Sequence, residues 1–68
     1  MPYGYIKRIV REHGFGFIVD EAGMDWFFVR DGARDSFDQL SVNEQVGFSG
    51  EWTPKGPRAI DIHYAQPE

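Results

Sequence analysis

The stretch HGFGFIV, residues 13–19, separates two phenylalanines by a single glycine and places another glycine in front of them. Alternate residues of a β-strand point to the same side of a sheet, so Phe15 and Phe17 share one face and Ile18 lies on the other. Ile18 is the natural core residue, which turns both phenylalanine rings outward. Exposed rings at this spacing are suited to stacking on flat nucleobases.

A second aromatic run, WFFVR at residues 26–30, follows closely. Placing the β-branched Val29 in the core turns Trp26, Phe28 and Arg30 outward. If the two runs pair as a hairpin, their outward rings form one exposed aromatic cluster, and such a cluster usually marks a binding site. The alternative is that some of these rings are buried, because a chain of 68 residues needs large side chains in its core.

Basic residues accompany the aromatic ones, although the chain as a whole is acidic. Its formal net charge of −4 argues against a nucleic-acid partner, since phosphate contacts supply much of such affinity. Lys7, Arg8 and Arg11 nevertheless lie close together, and a short polar chain can hold a basic face and an acidic back. Lys7, Arg8 and Arg30 around the rings would meet phosphates, and an arginine can also stack on a base.

Other chemistries find little support. The chain has no cysteine, which removes disulfides and thiolate chemistry. His13 and His63 are 50 positions apart and lack the spacing of recognised zinc motifs, which disfavours a metal-dependent hydrolase. The serines have no histidine at a spacing typical of nucleophilic catalysis. We therefore expect neither enzymatic activity nor a cofactor nor a small-molecule substrate.

Length and hydropathy limit the remaining possibilities. A chain of 68 residues is one domain, near the lower limit at which a hydrophobic core alone maintains a fold. No apolar run approaches the roughly 18 residues of a membrane span, and the N-terminus lacks a signal-peptide pattern. These features favour a cytoplasmic protein without a membrane partner, acting as a monomer or weak dimer.

Five strands must position the candidate residues. Strand-forming residues and alternation predict them at 3–11, 15–20, 24–30, 45–53 and 58–64. DEAG predicts a hairpin turn between the second and third strands, and TPKGPR separates the fourth from the fifth. In the long remaining segment, Phe37 and Leu40 are spaced as for one helical turn laid over a barrel end. This pattern predicts a small all-β barrel whose second and third strands form the binding face.

The chain also resembles a known family. KRIVREHGFGFIV resembles the first RNA-binding motif of bacterial cold-shock proteins and Y-box domains, usually K-W-F-N-x-x-K-G-F-G-F-I. FFVRDGA resembles the second motif, usually V-F-V-H-F-S-A, with one extra residue before it, and FDQLSVNEQVGF and KGPRAIDI resemble later segments. The match spans residues 4–64. It implies a five-stranded antiparallel OB-fold barrel covering residues 1–68, no catalysis, and binding of single-stranded RNA or DNA.

The resemblance assigns roles by position. The residues that match nucleic-acid contacts of the family are Lys7, Phe15, Phe17, Phe28 and, in the long loop, Phe37. Three departures accompany them: Arg8 replaces the family's stacking tryptophan, Arg30 its histidine and Asp31 its second phenylalanine. Exchanging rings for charges predicts weaker and more salt-dependent binding than is usual in the family.

The complete expected interface joins the aromatic and basic residues named above to one arginine of the fifth strand. Its members are Lys7, Arg8, Phe15, Phe17, Trp26, Phe28, Arg30, Phe37 and Arg58. Family analogy implies an RNA-chaperone-like role in regulating transcription or translation. The rival interpretation is a barrel that kept its fold and turned its aromatic face to a protein, which Asp31 and the acidic balance favour, since protein interfaces are also enriched in aromatic residues and arginine.

Overall fold

Five strands account for most of the chain. The computed structural model describes residues 3–64, except for the side chains of residues 34–36. The strands are β1 (Tyr3–Val10), β2 (Phe15–Asp20), β3 (Asp25–Val29), β4 (Gln45–Thr53) and β5 (Gly56–Tyr64). Their bounds confirm all five predicted strands to within two residues at each end.

Helical turns supply the longer connections. A 3-10 turn, Arg11–His13, joins β1 to β2. Between β3 and β4 the chain forms the helical turn α1 (Arg30–Ala33) and then a 3-10 helix, Arg34–Gln39. No helix within residues 3–64 is long and apolar enough to cross a membrane.

The strands close into a barrel in the order β1-β2-β3-β5-β4. Four of the pairings are antiparallel, whereas β3 and β5 run parallel and are aligned at Phe27 and Arg58. This arrangement confirms the predicted small all-β barrel of OB-fold type. A β-bulge between Ile6 and Arg8 interrupts the pairing of β1 with β2, and it leaves Lys7 and Arg8 exposed in succession.

The barrel interior is apolar. Its buried residues are Ile6, Ile18, Phe28, Ala33, Phe37, Leu40, Val46, Phe48, Ala59 and Ile62. Ile18 is fully buried, which confirms the inward direction expected from alternation, and Ile6 of β1 is fully buried too. The helical turn predicted from the spacing of Phe37 and Leu40 is confirmed by the 3-10 helix, and both residues are fully buried. Arg11 fastens this segment to the barrel by donating hydrogen bonds to the backbone carbonyls of both residues.

The turn between β2 and β3 sets the register on which the outer face depends. The Asp20 carboxylate accepts hydrogen bonds from the backbone N–H groups of Ala22 and Met24, each at 2.9 Å. Gly23 adopts the left-handed conformation, with φ of 86°, that closes the turn. As a result Phe17 lies directly opposite Phe27, and Gly16 lies opposite Phe28.

Candidate nucleic-acid interface

Three phenylalanines form an aromatic cluster on the outer face of β2 and β3. We define this aromatic cluster as Phe15, Phe17 and Phe27. The ring centroids of Phe27 lie 5.7 Å from Phe15 and 5.6 Å from Phe17, and those of Phe15 and Phe17 are 6.1 Å apart. His13 extends the cluster, with its ring stacked 6.4 Å from Phe15. The predicted outward direction of Phe15 and Phe17 is confirmed, and both rings are half-buried by their neighbours.

The prediction that Phe28 is exposed is wrong. Phe28 is fully buried, and its ring meets that of Phe37 edge-on at a centroid distance of 6.1 Å. Phe27 takes the outer position, with 36% of its surface exposed. The error arose from placing Val29 in the core because it is β-branched. An error of one residue in choosing the inward position assigns every side chain of the strand to the wrong face. Val29 in fact lies on the outer face with Phe15, its cross-strand partner.

Trp26 is likewise directed away from the aromatic cluster, contrary to prediction. Its indole packs against the core at Phe48, 5.4 Å between ring centroids, and against Trp52 at 5.9 Å. The indole N–H donates a 2.8 Å hydrogen bond to Asp20. This hydrogen bond, together with those from the turn backbone, lowers the pKa of the Asp20 carboxyl below its ordinary value of 3.8. Trp26 therefore secures the hairpin and the core instead of the outer face.

Phe37 and Arg30 also differ from expectation. Phe37 is fully buried and does not form an exposed loop ring. The guanidinium carbon of Arg30 lies 4.5 Å from the centre of the Phe37 ring, and the same group forms a 2.9 Å ion pair with Asp38. Arg30 thus covers a core aromatic residue and is already paired with a carboxylate, while its backbone N–H donates a 2.8 Å hydrogen bond to the carbonyl of Gly14, the residue before Phe15.

A continuous cross-strand row crosses the aromatic cluster. Arg8 is aligned with Phe17, Phe17 with Phe27, and Phe27 with Arg58. Two arginines therefore bracket two phenylalanines on one line around the barrel, and we call these four residues the Arg-Phe-Phe-Arg row. At about 4.8 Å between neighbouring strands, the row covers roughly 14 Å measured along the curved sheet.

The basic groups near this row differ in their partners. Lys7 forms a 3.0 Å ion pair with Asp25, and both side chains are about half exposed. Within residues 3–64, neither Arg8 nor Arg58 takes part in an ion pair. The two arginines of the row are therefore available to an anionic ligand, whereas Lys7 would first have to break its ion pair with Asp25.

Two clefts flank the aromatic cluster. The larger, of about 370 Å³, lies between the cluster and the turn joining β4 to β5, and its lining residues are Phe17, Phe27, Thr53, Lys55, Gly56, Pro57 and Arg58. The smaller, of about 180 Å³, is lined by Lys7, Arg8, Phe17 and Asp25. Phe17 separates the two clefts, so a flat group lying on its ring has a cation on either side.

A closed five-stranded barrel with exposed aromatic rings and unpaired arginines on one face defines a small nucleic-acid-binding domain of the OB type. The comparisons agree with this class. The family model of the 'Cold-shock' DNA-binding domain matches residues 2–65, and the chain belongs to this family. The family consists of nucleic-acid-binding proteins that are not enzymes.

Several bacterial relatives are similar over most of their length. Cold shock-like protein CspJ of Salmonella typhi is 41% identical over 61 residues, which covers 87% of each chain. Cold shock-like protein CspI of Escherichia coli strain K12 is 39% identical over 61 residues, again 87% of each. Probable cold shock protein A of Mycobacterium tuberculosis is 38% identical over 64 residues, or 91% of this chain and 96% of the relative.

The observed register also corrects the match to the second family motif. With Phe27 as the exposed ring, WFFVR occupies the place of V-F-V-H-F, and no extra residue precedes it. Val29 then stands where the family has histidine, and Arg30 where it has the second phenylalanine. Sequence reasoning missed Phe27 as a site residue. An ungapped match to the two family motifs would have found it, because that match aligns Phe27, and not Phe28, with the phenylalanine of V-F-V-H-F.

Proposed function

We propose that the protein binds single-stranded RNA or DNA by stacking bases on the aromatic cluster while Arg8 and Arg58 hold the backbone. The observation that carries the proposal is the Arg-Phe-Phe-Arg row, which has unpaired cations at both ends of two outward-facing rings. Stacking on an aromatic side chain contributes roughly 1–3 kcal/mol per base and tolerates any base, since every base has a flat π-face.

Binding of this kind would hold a strand in an unpaired state. Backbone contacts and stacking carry little sequence information, so an RNA bound in this way is kept open without being selected by its sequence. This behaviour corresponds to an RNA-chaperone-like role in regulating transcription or translation. The contribution of phosphate contacts is limited, because the net charge is −4 and Lys7 is already paired with Asp25.

The second candidate function is an interface for a protein partner. It is favoured by the pairing of Lys7 and Arg30 with carboxylates, which leaves few free cations on an acidic molecule. Aromatic residues and arginine are enriched in such interfaces too. The two functions differ in one measurable respect, since only nucleic-acid binding requires affinity for a short oligonucleotide.

The test is a salt titration of binding to a fluorescein-labelled oligo-dT heptamer and a mixed RNA heptamer, followed by anisotropy. A label on the oligonucleotide is needed because neither Trp26 nor Trp52 lines either cleft. We expect micromolar or tighter binding and a slope of log K against log salt of about −1.4 to −2, for two or three phosphate contacts. Absence of binding at low salt would rule out the proposal in favour of a protein partner.

A pair of variants makes the test specific to the row. Arg8→Ala should reduce the magnitude of the salt slope by about 0.7, the contribution of one phosphate contact to a single strand. Tyr3→Ala is the matched control, because Tyr3 is 43% exposed but lies outside the row, opposite Gly47 of β4. Its affinity and slope should equal those of the unmodified protein.

A further inference from the structure

We infer that Arg58 makes the larger cleft a subsite that prefers guanine over the other bases. The inference rests on the proposed function, because it assigns base selectivity to a strand that lies on the aromatic cluster. It departs from the proposed function at a single position of that strand, where Arg58 contacts the edge of a guanine instead of the backbone.

Arg58 is placed where a base would reach it. Its strand neighbour Ala59 is fully buried, so alternation directs Arg58 to the outer face, beside its cross-strand partner Phe27. Phe17, Phe27 and Pro57 supply apolar walls to the same cleft. A volume of about 370 Å³ lies within the range of clefts that hold small flat ligands.

The guanidinium group of Arg58 lacks an acceptor. Its Nε is buried, and no group of residues 3–64 accepts a hydrogen bond from it. Glu51 lies directly across from Arg58 on β4, yet the two form no ion pair. A buried donor without an acceptor is unfavourable, and in folded proteins such groups are rare. Rotation of this half-buried side chain would let its N–H groups donate hydrogen bonds to an acceptor of a bound ligand.

Guanine is the base whose acceptors fit this group. A guanidinium has five donors in a planar fork and no acceptor, so it favours an edge with two adjacent acceptors. Guanine offers O6 and N7 side by side, whereas the corresponding edge of adenine places a donor beside N7 and that of thymine has only O4. Cytosine presents two neighbouring acceptors on its pairing edge, but its single ring covers less of Phe17 and Phe27 in stacking.

The experiment compares dT heptamers that carry one dG, dA or dC at each position in turn. We expect dG at one position to tighten binding roughly 5- to 150-fold over dT, the discrimination of one bidentate contact. Replacing that dG by 7-deazaguanine, which lacks the N7 acceptor, should abolish the gain. Inosine keeps O6 and N7 and should retain it.

Variants at position 58 connect the preference to the side chain. Arg58→Lys keeps the charge but not the planar fork, so the ratio of its affinities for the dG-containing and the all-dT heptamers should fall to about one. Arg58→Gln should lose both the preference and part of the salt slope. Thermal unfolding of each variant establishes that the barrel is intact.

The outcomes separate this inference from the proposed function. If the dT heptamer binds but no dG position is favoured, or if dC is favoured instead, the guanine subsite is refuted while the stacking proposal stands. A dG preference that survives in Arg58→Lys would also overturn the inference. If no heptamer binds at all, the proposed function fails and the inference fails with it.

Discussion

Two adjacent phenylalanines of β3 should respond to alanine substitution in opposite ways. Phe27 is partly exposed on the aromatic cluster, whereas Phe28 is fully buried against Phe37. Phe27→Ala should therefore weaken nucleic-acid binding and preserve the fold. Phe28→Ala should unfold much of the protein and affect binding only through that loss.

The magnitudes follow from burial. At roughly 0.05–0.15 kcal/mol per residue, a chain of 68 residues has an unfolding free energy of about 3–10 kcal/mol. Truncating a buried phenylalanine to alanine costs about 3–5 kcal/mol, which is a large part or all of that total. For Phe27, loss of cross-strand aromatic contacts costs about 1 kcal/mol of stability. Loss of its stacked base costs about 1–3 kcal/mol of binding, or roughly 5- to 150-fold in affinity.

Urea denaturation followed by intrinsic fluorescence measures the first quantity, and anisotropy of a labelled oligo-dT heptamer measures the second. Both variants are made in the same background, and each serves as the control for the other. A stable Phe28→Ala with weakened binding, beside a Phe27→Ala that fails to fold, would refute the register assigned to β3.

Three further perturbations test other contacts. Gly50→Ala should destabilise the barrel, because a Cβ at Gly50 would lie 2.6 Å from the indole of Trp26; the midpoint of urea denaturation should fall. The pKa of Asp20 is lowered in the folded protein, so this carboxylate stabilises the fold above its ordinary pKa of 3.8 and the stabilisation is lost as the pH falls from about 4 towards the lower folded value. Asp20→Asn should remove that part of the pH dependence measured by acid denaturation. Asp25→Asn releases Lys7 from its ion pair and should increase the magnitude of the salt slope of oligonucleotide binding by about 0.7, whereas an unchanged slope would mean that Lys7 meets no phosphate.

The strands were predictable from sequence because β-branched and aromatic residues alternate between clear turn signals. The face of β3 was not, because Trp26, Phe27, Phe28 and Val29 are all apolar, and a run without polar residues has no alternation to read. The register of β2 and β3 is decided by the turn built on Asp20, together with the packing of the core side chains beneath these strands. A Cβ at Gly16 would lie 2.6 Å from the ring of Phe28, so the absent side chain at one position accommodates the large one opposite.

The candidate site was predictable in part for a related reason. Phe15 and Phe17 were predicted on the outer face because Ile18, as the natural core residue of the strand, points inward, and Ile18 is fully buried. The positions of Phe37 and Arg30 depend on a tertiary contact between them, a cation over a core ring, that no local pattern indicates. This contact forms only when the connection between β3 and β4 folds against the barrel.

The seam between β3 and β5 has a consequence for local opening of the barrel. These strands are aligned at a single pair, Phe27 and Arg58, whereas β4 and β5 are aligned along most of their length. Sub-global opening in proteins starts where pairing is sparse, and separation of this seam would open the barrel into one sheet, β3-β2-β1-β4-β5, with Phe27 and Arg58 on its opposite edges. A strand bound across the row would hold these two edges together, so amide hydrogen exchange in β3 and β5 should slow more on binding than exchange in β1 or β4.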